Sequence, residues 1–132
     1  MSATVAERAW CVVVPHHARG ARIARQRIAA ALTDEVDTEM VFDVTAVAAE
    51  LIGNAVRHAA PLPGDVVRVD WCVRDGAVEI RVTDGGSELA PQVREVDPES
   101  VNGRGLTIVA ALASNWGVEH DGSGQCVWAE LR

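Results

Sequence analysis

Between Thr38 and Val82 the apolar residues of this chain switch from the period of a helix to the period of a strand, and the switch falls on two prolines. From Thr38 to about Ala60, residues such as Leu51, Ile52, Ala55 and Val56 recur at helical spacing, and Pro61 and Pro63 cannot continue the helix. Beyond them Val67, Val69, Trp71 and Val73 alternate with Arg68, Asp70 and Cys72, and after Asp75-Gly76 come Val78, Ile80 and Val82. An Asp-Gly pair between two alternating runs predicts a tight hairpin. A helix that feeds a hairpin with one apolar face has to lie over that face.

The remaining segments extend this pattern. "AWCVVV" (9–14) suits a buried strand stopped by Pro15, and "HHARGARIARQRIAAAL" sets Ala21, Ala24, Ile28, Ala31 and Leu32 at helical spacing, with Arg19, Arg22 and Arg25 opposite or nearby. A third helix is expected in "GLTIVAALAS", with Leu106, Val109, Ala110 and Ala113 on one face, and a closing hairpin around Asp121 to Gly124. From Ser87 to Asn102 no period is sustained, and Pro91 and Pro98 argue for an extended loop, which at that length is usually functional. Strand, helix, helix, strand, strand, loop, helix, strand, strand predicts an α+β two-layer sandwich: a mixed, mostly antiparallel sheet with helices on one face. At 132 residues, 1–132 forms one domain with one core and room for one site.

Charge and composition narrow the function. The formal net charge of −7 repels phosphate backbones, so nucleic acid is not an expected direct partner and proteins or small ligands are. No apolar run reaches the length of a membrane span and the N-terminus does not read as a signal peptide, which predicts no membrane contact and a cytoplasmic location. Cys11, Cys72 and Cys126 lie in apolar stretches without CxxC spacing and read as buried thiols. All 12 basic residues are arginine. A chain without lysine can be neither a P-loop NTPase nor a eukaryotic-type protein kinase, because each places a lysine on the nucleotide phosphates.

Three places carry candidate chemistry. On the second helix Asp43, Asn54 and Arg57 fall within about 40° of Glu50, with His58 at the edge, so Glu50 and Asn54 share a polar strip. Such a strip is an ordinary solvated face, or a carboxylate that accepts a proton beside an amide that ligates Mg²⁺. In "IRVTDGG" the alternation puts Asp84 on the face of Val78, Ile80 and Val82. It either opens a turn or accepts from an exocyclic amine, with Gly86 letting a flat ring approach. In "NGRGLTIV", Gly103 and Gly105 stand at the start of the third helix, as a flexible entry or as N–H groups open to an anion.

ExxxN on a helix, DxG after a strand, a lid, then GxGL opening a helix resemble the N, G1 and G2 boxes of the GHKL ATPases, the gyrase, Hsp90, histidine-kinase and MutL superfamily. The likeness spans nearly the whole chain, including "GRGLTIVAALASNWGVE" and "VWAEL". At this size the chain is most similar to the anti-sigma-factor serine kinases of bacterial partner-switching systems. That resemblance implies the Bergerat fold, ATP and Mg²⁺ as cofactors, Glu50 as the catalytic base, and Asn54 as the Mg²⁺ ligand. It implies further that Asp84 and Gly86 hold the adenine, that Gly103, Arg104, Gly105 and Leu106 hold the phosphates, and that 87–102 forms the lid. It also implies a STAS-domain antagonist as phosphoacceptor, a sigma factor as sequestered partner, and a possible homodimer through the first helix and a sheet edge. A non-catalytic ATP-binding adaptor on the same fold is the alternative. "DGGSE" lacks the second glycine of the fuller DxGxG form, and Cys126 stands where many relatives carry a threonine near the adenine.

Overall fold

The computed structural model describes residues 7–86, 101–121 and 124–132, the side chains of 101–106 and 121 excepted. Its elements are β1 (Arg8–Pro15), α1 (Ala18–Leu32), α2 (Thr38–His58), β2 (Val66–Arg74), β3 (Ala77–Asp84), α3 (Val101–Leu112), β4 (Asn115–Asp121) and β5 (Gly124–Leu131). The five strands form one sheet in the order β1-β2-β3-β5-β4. Every ladder is antiparallel, so the mixed sheet expected from the sequence is corrected. The β3–α3–β4 link is a crossover that leaves β3 and β4 running the same way, but β5 turns back from β4 and inserts between them.

Local chemistry sets the elements. Asp75 and Gly76 both have positive φ, 52° and 77°, which is what a two-residue primed turn requires, and they join β2 to β3 in register. Asp37 caps α2 by accepting from the Met40 N–H at 2.8 Å, and His17 caps α1 by accepting from the Arg19 N–H at 3.1 Å. The second helix ends at His58, slightly before the expected Ala60, because Ala59 is already extended ahead of the prolines.

The inner face of the sheet is apolar and the helices cover it. Val67, Val69, Trp71, Val78, Ile80 and Val82 are buried against Ala24, Ile28 and Leu32 of α1 and Val47, Leu51 and Ile52 of α2. Trp10 and Trp71, paired across β1 and β2, stack with ring centroids 6.0 Å apart. On α3 Val109 is buried, but Ala110 is exposed and Ala113 lies just past the helix end, half-buried. The expected broad apolar face of this helix is therefore narrower among the described residues. No helix among those residues is long and apolar enough to cross a membrane.

The cysteines also differ from expectation. Cys11, Cys72 and Cys126 are free, and register puts them on the outer face of the sheet, where Cys11 is exposed and the other two are half-buried. An apolar run in β1 does not force both of its faces inward when helices cover only one. Burial is the largest influence on each thiol and pushes all three upward, which disfavours the thiolate.

Candidate functional site

Glu50 and Asn54 lie one turn apart on α2, both half-buried. Arg57 folds back along the helix and its Nη2 donates to Asn54 Oδ1 at 3.0 Å. Gly53 makes that possible, since a Cβ there would sit 2.9 Å from Arg57 Nη1. The amide oxygen of Asn54 thus has a partner, and a metal ion at this atom requires Arg57 to let go. His58, at the edge of the strip, is exposed.

At the far end of β3, Asp84 closes the buried stripe of Val78, Ile80 and Val82 and is only 2% exposed. Its Oδ1 accepts from the Gly86 N–H at 2.7 Å. Burial pushes the Asp84 carboxyl above its ordinary range, while the Gly86 N–H and the charges of His16 and His120 pull in the opposite direction. Gly86 has φ +89° with open space where a Cβ would stand, leaving its backbone accessible to a flat ligand.

Asp84 and α2 are brought together by Gly85. Its N–H donates to Ala60 O at 2.7 Å, and the Ala60 N–H donates back to Gly86 O at 3.0 Å. A Cβ on Gly85 would lie 2.3 Å from Pro61 O. The exit of α2 is therefore stapled to the end of β3, and the strip runs away from that junction from His58 back to Glu50, over about 12 Å of helix. The DxG spacing assigns no role to Gly85 itself, and the consecutive glycines after a strand-ending acid are the signal for this contact.

Three further residues were missed. His16 Nε2 lies 3.0 Å from Ala55 O and 2.9 Å from Ala59 O. Carbonyls only accept, so this nitrogen carries the proton and shares it between the two, closing the C-terminal turn of α2. Gln125 sits directly across from Asp84 in the β3–β5 register, is 3% exposed, and its Oε1 has no hydrogen-bond partner among the described residues. Gly124 permits the close pairing, since a Cβ there would be 2.3 Å from Asp84 O. Cys126, expected near the adenine, instead pairs with Thr83 and faces the outer side, so the position beside Asp84 belongs to Gln125. No short-range signal marks this, because it depends on a ladder between residues far apart in sequence.

At the third candidate place, α3 begins at Val101. Gly103 falls in the first turn, whose N–H groups lack intrahelical partners, and Gly105 begins the second with Leu106 after it. The side chains of Arg104 and Leu106 and residues 87–100 of the expected lid lie outside the described residues, while 101 and 102 are helical rather than loop. A groove of about 480 Å³ lined by Arg68, Asp70, Arg81, Thr83, Glu119 and Cys126 opens on the other side of the sheet, away from Asp84. Arg81 is paired there with Glu79 and Glu119.

A buried carboxylate and an orphaned amide oxygen at the end of an apolar stripe, beside a helix strip bearing a carboxylate and an amide, can read a polar heterocycle and hold charged groups along the helix. No curated protein matches the chain significantly. Among solved structures, the fold is similar to the crystal structure of the RsbU and RsbW domains of Rv1364c from Mycobacterium tuberculosis, with a TM-score of 0.70 and 22% identity. That match covers 95% of this chain and 32% of the other, so the chain spans about a third of that protein's solved length. Residues 14–131 match the histidine kinase-like ATPase domain family, which includes every element from the end of β1 through β5, and the chain belongs to that family.

Proposed function

We propose that the chain is an ATP-binding serine/threonine protein kinase that acts as an anti-sigma factor, phosphorylating a STAS-type antagonist and sequestering a sigma factor. The observation that carries this reading is the stapling of the buried Asp84 to the helix that bears Glu50 and Asn54. The residues fit MgATP: Asp84 offers a buried acceptor to the exocyclic amine, Gly86 leaves room for the ring, and the orphaned Gln125 amide stands beside them. When bound, MgATP supplies the transferable phosphoryl group. Asn54 Oδ1 would hold the Mg²⁺ once Arg57 releases it, and Gly103, Arg104, Gly105 and Leu106 would line the phosphates. Glu50 would orient the acceptor hydroxyl and take its proton. Positioning and charge neutralisation then drive transfer, and without lysine the compensating charge comes from Mg²⁺ and arginine.

The Arg57–Asn54 contact favours a second reading, an adaptor that binds ATP and protein partners without transfer. Calorimetric titration of MgATP into the native protein and Asn54→Ala tests the site, and phosphoserine on a STAS antagonist tests catalysis. Saturable binding weakened by the substitution, with phosphorylation lost in Glu50→Ala, supports the kinase. Binding without phosphoserine leaves the adaptor, and no binding by either protein refutes both.

A further inference from the structure

Among the described residues two buried side-chain polar atoms lack a hydrogen-bond partner, Trp71 Nε1 and Gln125 Oε1. Leaving such an atom unpaired is costly, so each one requires an explanation. Trp71 lies within the core, stacked on Trp10. Gln125 lies at the end of the sheet, between Asp84 on β3 and His120 on β4. Neither neighbour serves its oxygen: an ionised carboxylate only accepts, and His120 is exposed and does not bond it. Asp84 and Gln125 are enclosed to the same degree, 2% and 3% exposed, so a ligand that reaches the carboxylate reaches the amide as well.

We propose that Gln125 Oε1 accepts the second hydrogen of the exocyclic amine whose first goes to Asp84, so that the pocket requires an unsubstituted amine on the base. The inference rests on the nucleotide-binding reading above. A planar amine points its two N–H bonds about 120° apart, and acceptors about 2.9 Å from the nitrogen then stand about 5 Å from each other. Directly paired residues on one face of an antiparallel ladder have Cβ atoms about 4.5–5.5 Å apart, so Asp84 and Gln125 project their acceptors from a spacing that one amine can bridge. The extra methylene of glutamine lets its oxygen adjust along the ring edge, and its NH2 group can then donate to the ring nitrogen beside the amine. Asp84 Oδ1 already accepts from the Gly86 N–H, which leaves the carboxylate only part of its capacity for the base and gives the amide the remaining hydrogen. A substituent on the amine nitrogen replaces one hydrogen with carbon, so one of the two buried oxygens is again left unpaired. A base with a carbonyl at that position meets two acceptors with a third.

Calorimetric titration of the native chain and of Gln125→Met with MgATP and with the Mg²⁺ complex of N6-methyl-ATP tests this. Methionine keeps the length of the side chain and removes the amide. The native protein is expected to bind ATP at least about tenfold more tightly than the methylated nucleotide. Gln125→Met should weaken ATP binding about three- to tenfold, the worth of one neutral hydrogen bond, and cut the preference for ATP over N6-methyl-ATP at least about threefold. Its urea midpoint should stay at or above the native value, because an apolar group replaces an oxygen without a partner. A lower midpoint assigns the amide to the fold and overturns the proposal. Native protein that binds both nucleotides equally well overturns it without appeal to any variant. ATP bound as tightly by Gln125→Met as by the native chain overturns it and leaves the nucleotide reading standing, whereas no ATP binding by the native chain refutes both.

Discussion

Replacing Gly85 by alanine tests how β3 is joined to α2. The added Cβ would stand 2.3 Å from Pro61 O and 3.0 Å from Ala60 O, both backbone atoms, where ordinary contact begins at 3.4 Å. The two segments must therefore separate by about 1 Å, which disrupts the Gly85 N–H to Ala60 O bond at 2.7 Å and the Ala60 N–H to Gly86 O bond at 3.0 Å. Each weakened backbone bond costs about 0.5–1.5 kcal/mol. Overpacking adds about 1–3 kcal/mol, which with the two bonds gives roughly 2–6 kcal/mol in all. That is a large share of the roughly 5–15 kcal/mol that holds a typical domain folded. Gly86→Ala is the control: its Cβ meets nothing within 4 Å, and only the φ of +89° opposes it, at about 1–2 kcal/mol. Urea unfolding with an unchanged m-value measures both. A Gly85→Ala protein within about 0.5 kcal/mol of native, the range of an inert surface change, or one more stable than Gly86→Ala, would refute the stapled geometry.

Two further outcomes follow from the same region. Burial raises the folded-state pKa of Asp84 above its unfolded value, so the stability this group contributes is fully present below the ordinary carboxylate range and is lost as pH rises through the raised value. Urea midpoints of native protein and Asp84→Asn measured across that acid window should diverge, native losing stability relative to the variant as pH rises; parallel profiles would contradict the assignment. His16→Ala removes the N–H shared by Ala55 O and Ala59 O and should cost about 1–2 kcal/mol, with faster hydrogen exchange at the Ala59 amide. Unchanged protection at that amide would show that His16 does not secure the end of α2.

The parts of the site that were legible in the sequence are those governed by neighbours along the chain. Helical spacing alone puts Glu50 and Asn54 on one strip, strand alternation alone sends Asp84 inward with Val78, Ile80 and Val82, and Asp75-Gly76 alone sets the β2–β3 hairpin. Each depends on a period or a turn of a few residues, and the burial of Asp84 confirms the alternation. Family membership was legible for a related reason, since the order of the boxes is a property of the chain.

Contacts between distant segments were decided by tertiary structure. Gln125 rather than Cys126 stands beside Asp84 because the β3–β5 register pairs Thr83 with Cys126, and a shift of one residue would have reversed which side chain faces inward. The thiols ended on the outer face because helices cover one side of the sheet only. His16 became a helix cap, and Gly85 a point of contact, when the corner between β1 and α1 and the end of β3 closed on the C-terminus of α2. Local preference determined the elements and the direction of their side chains. Which atoms met at the site was determined by packing those elements together, a choice made by the whole core at once and carried by no single stretch of sequence.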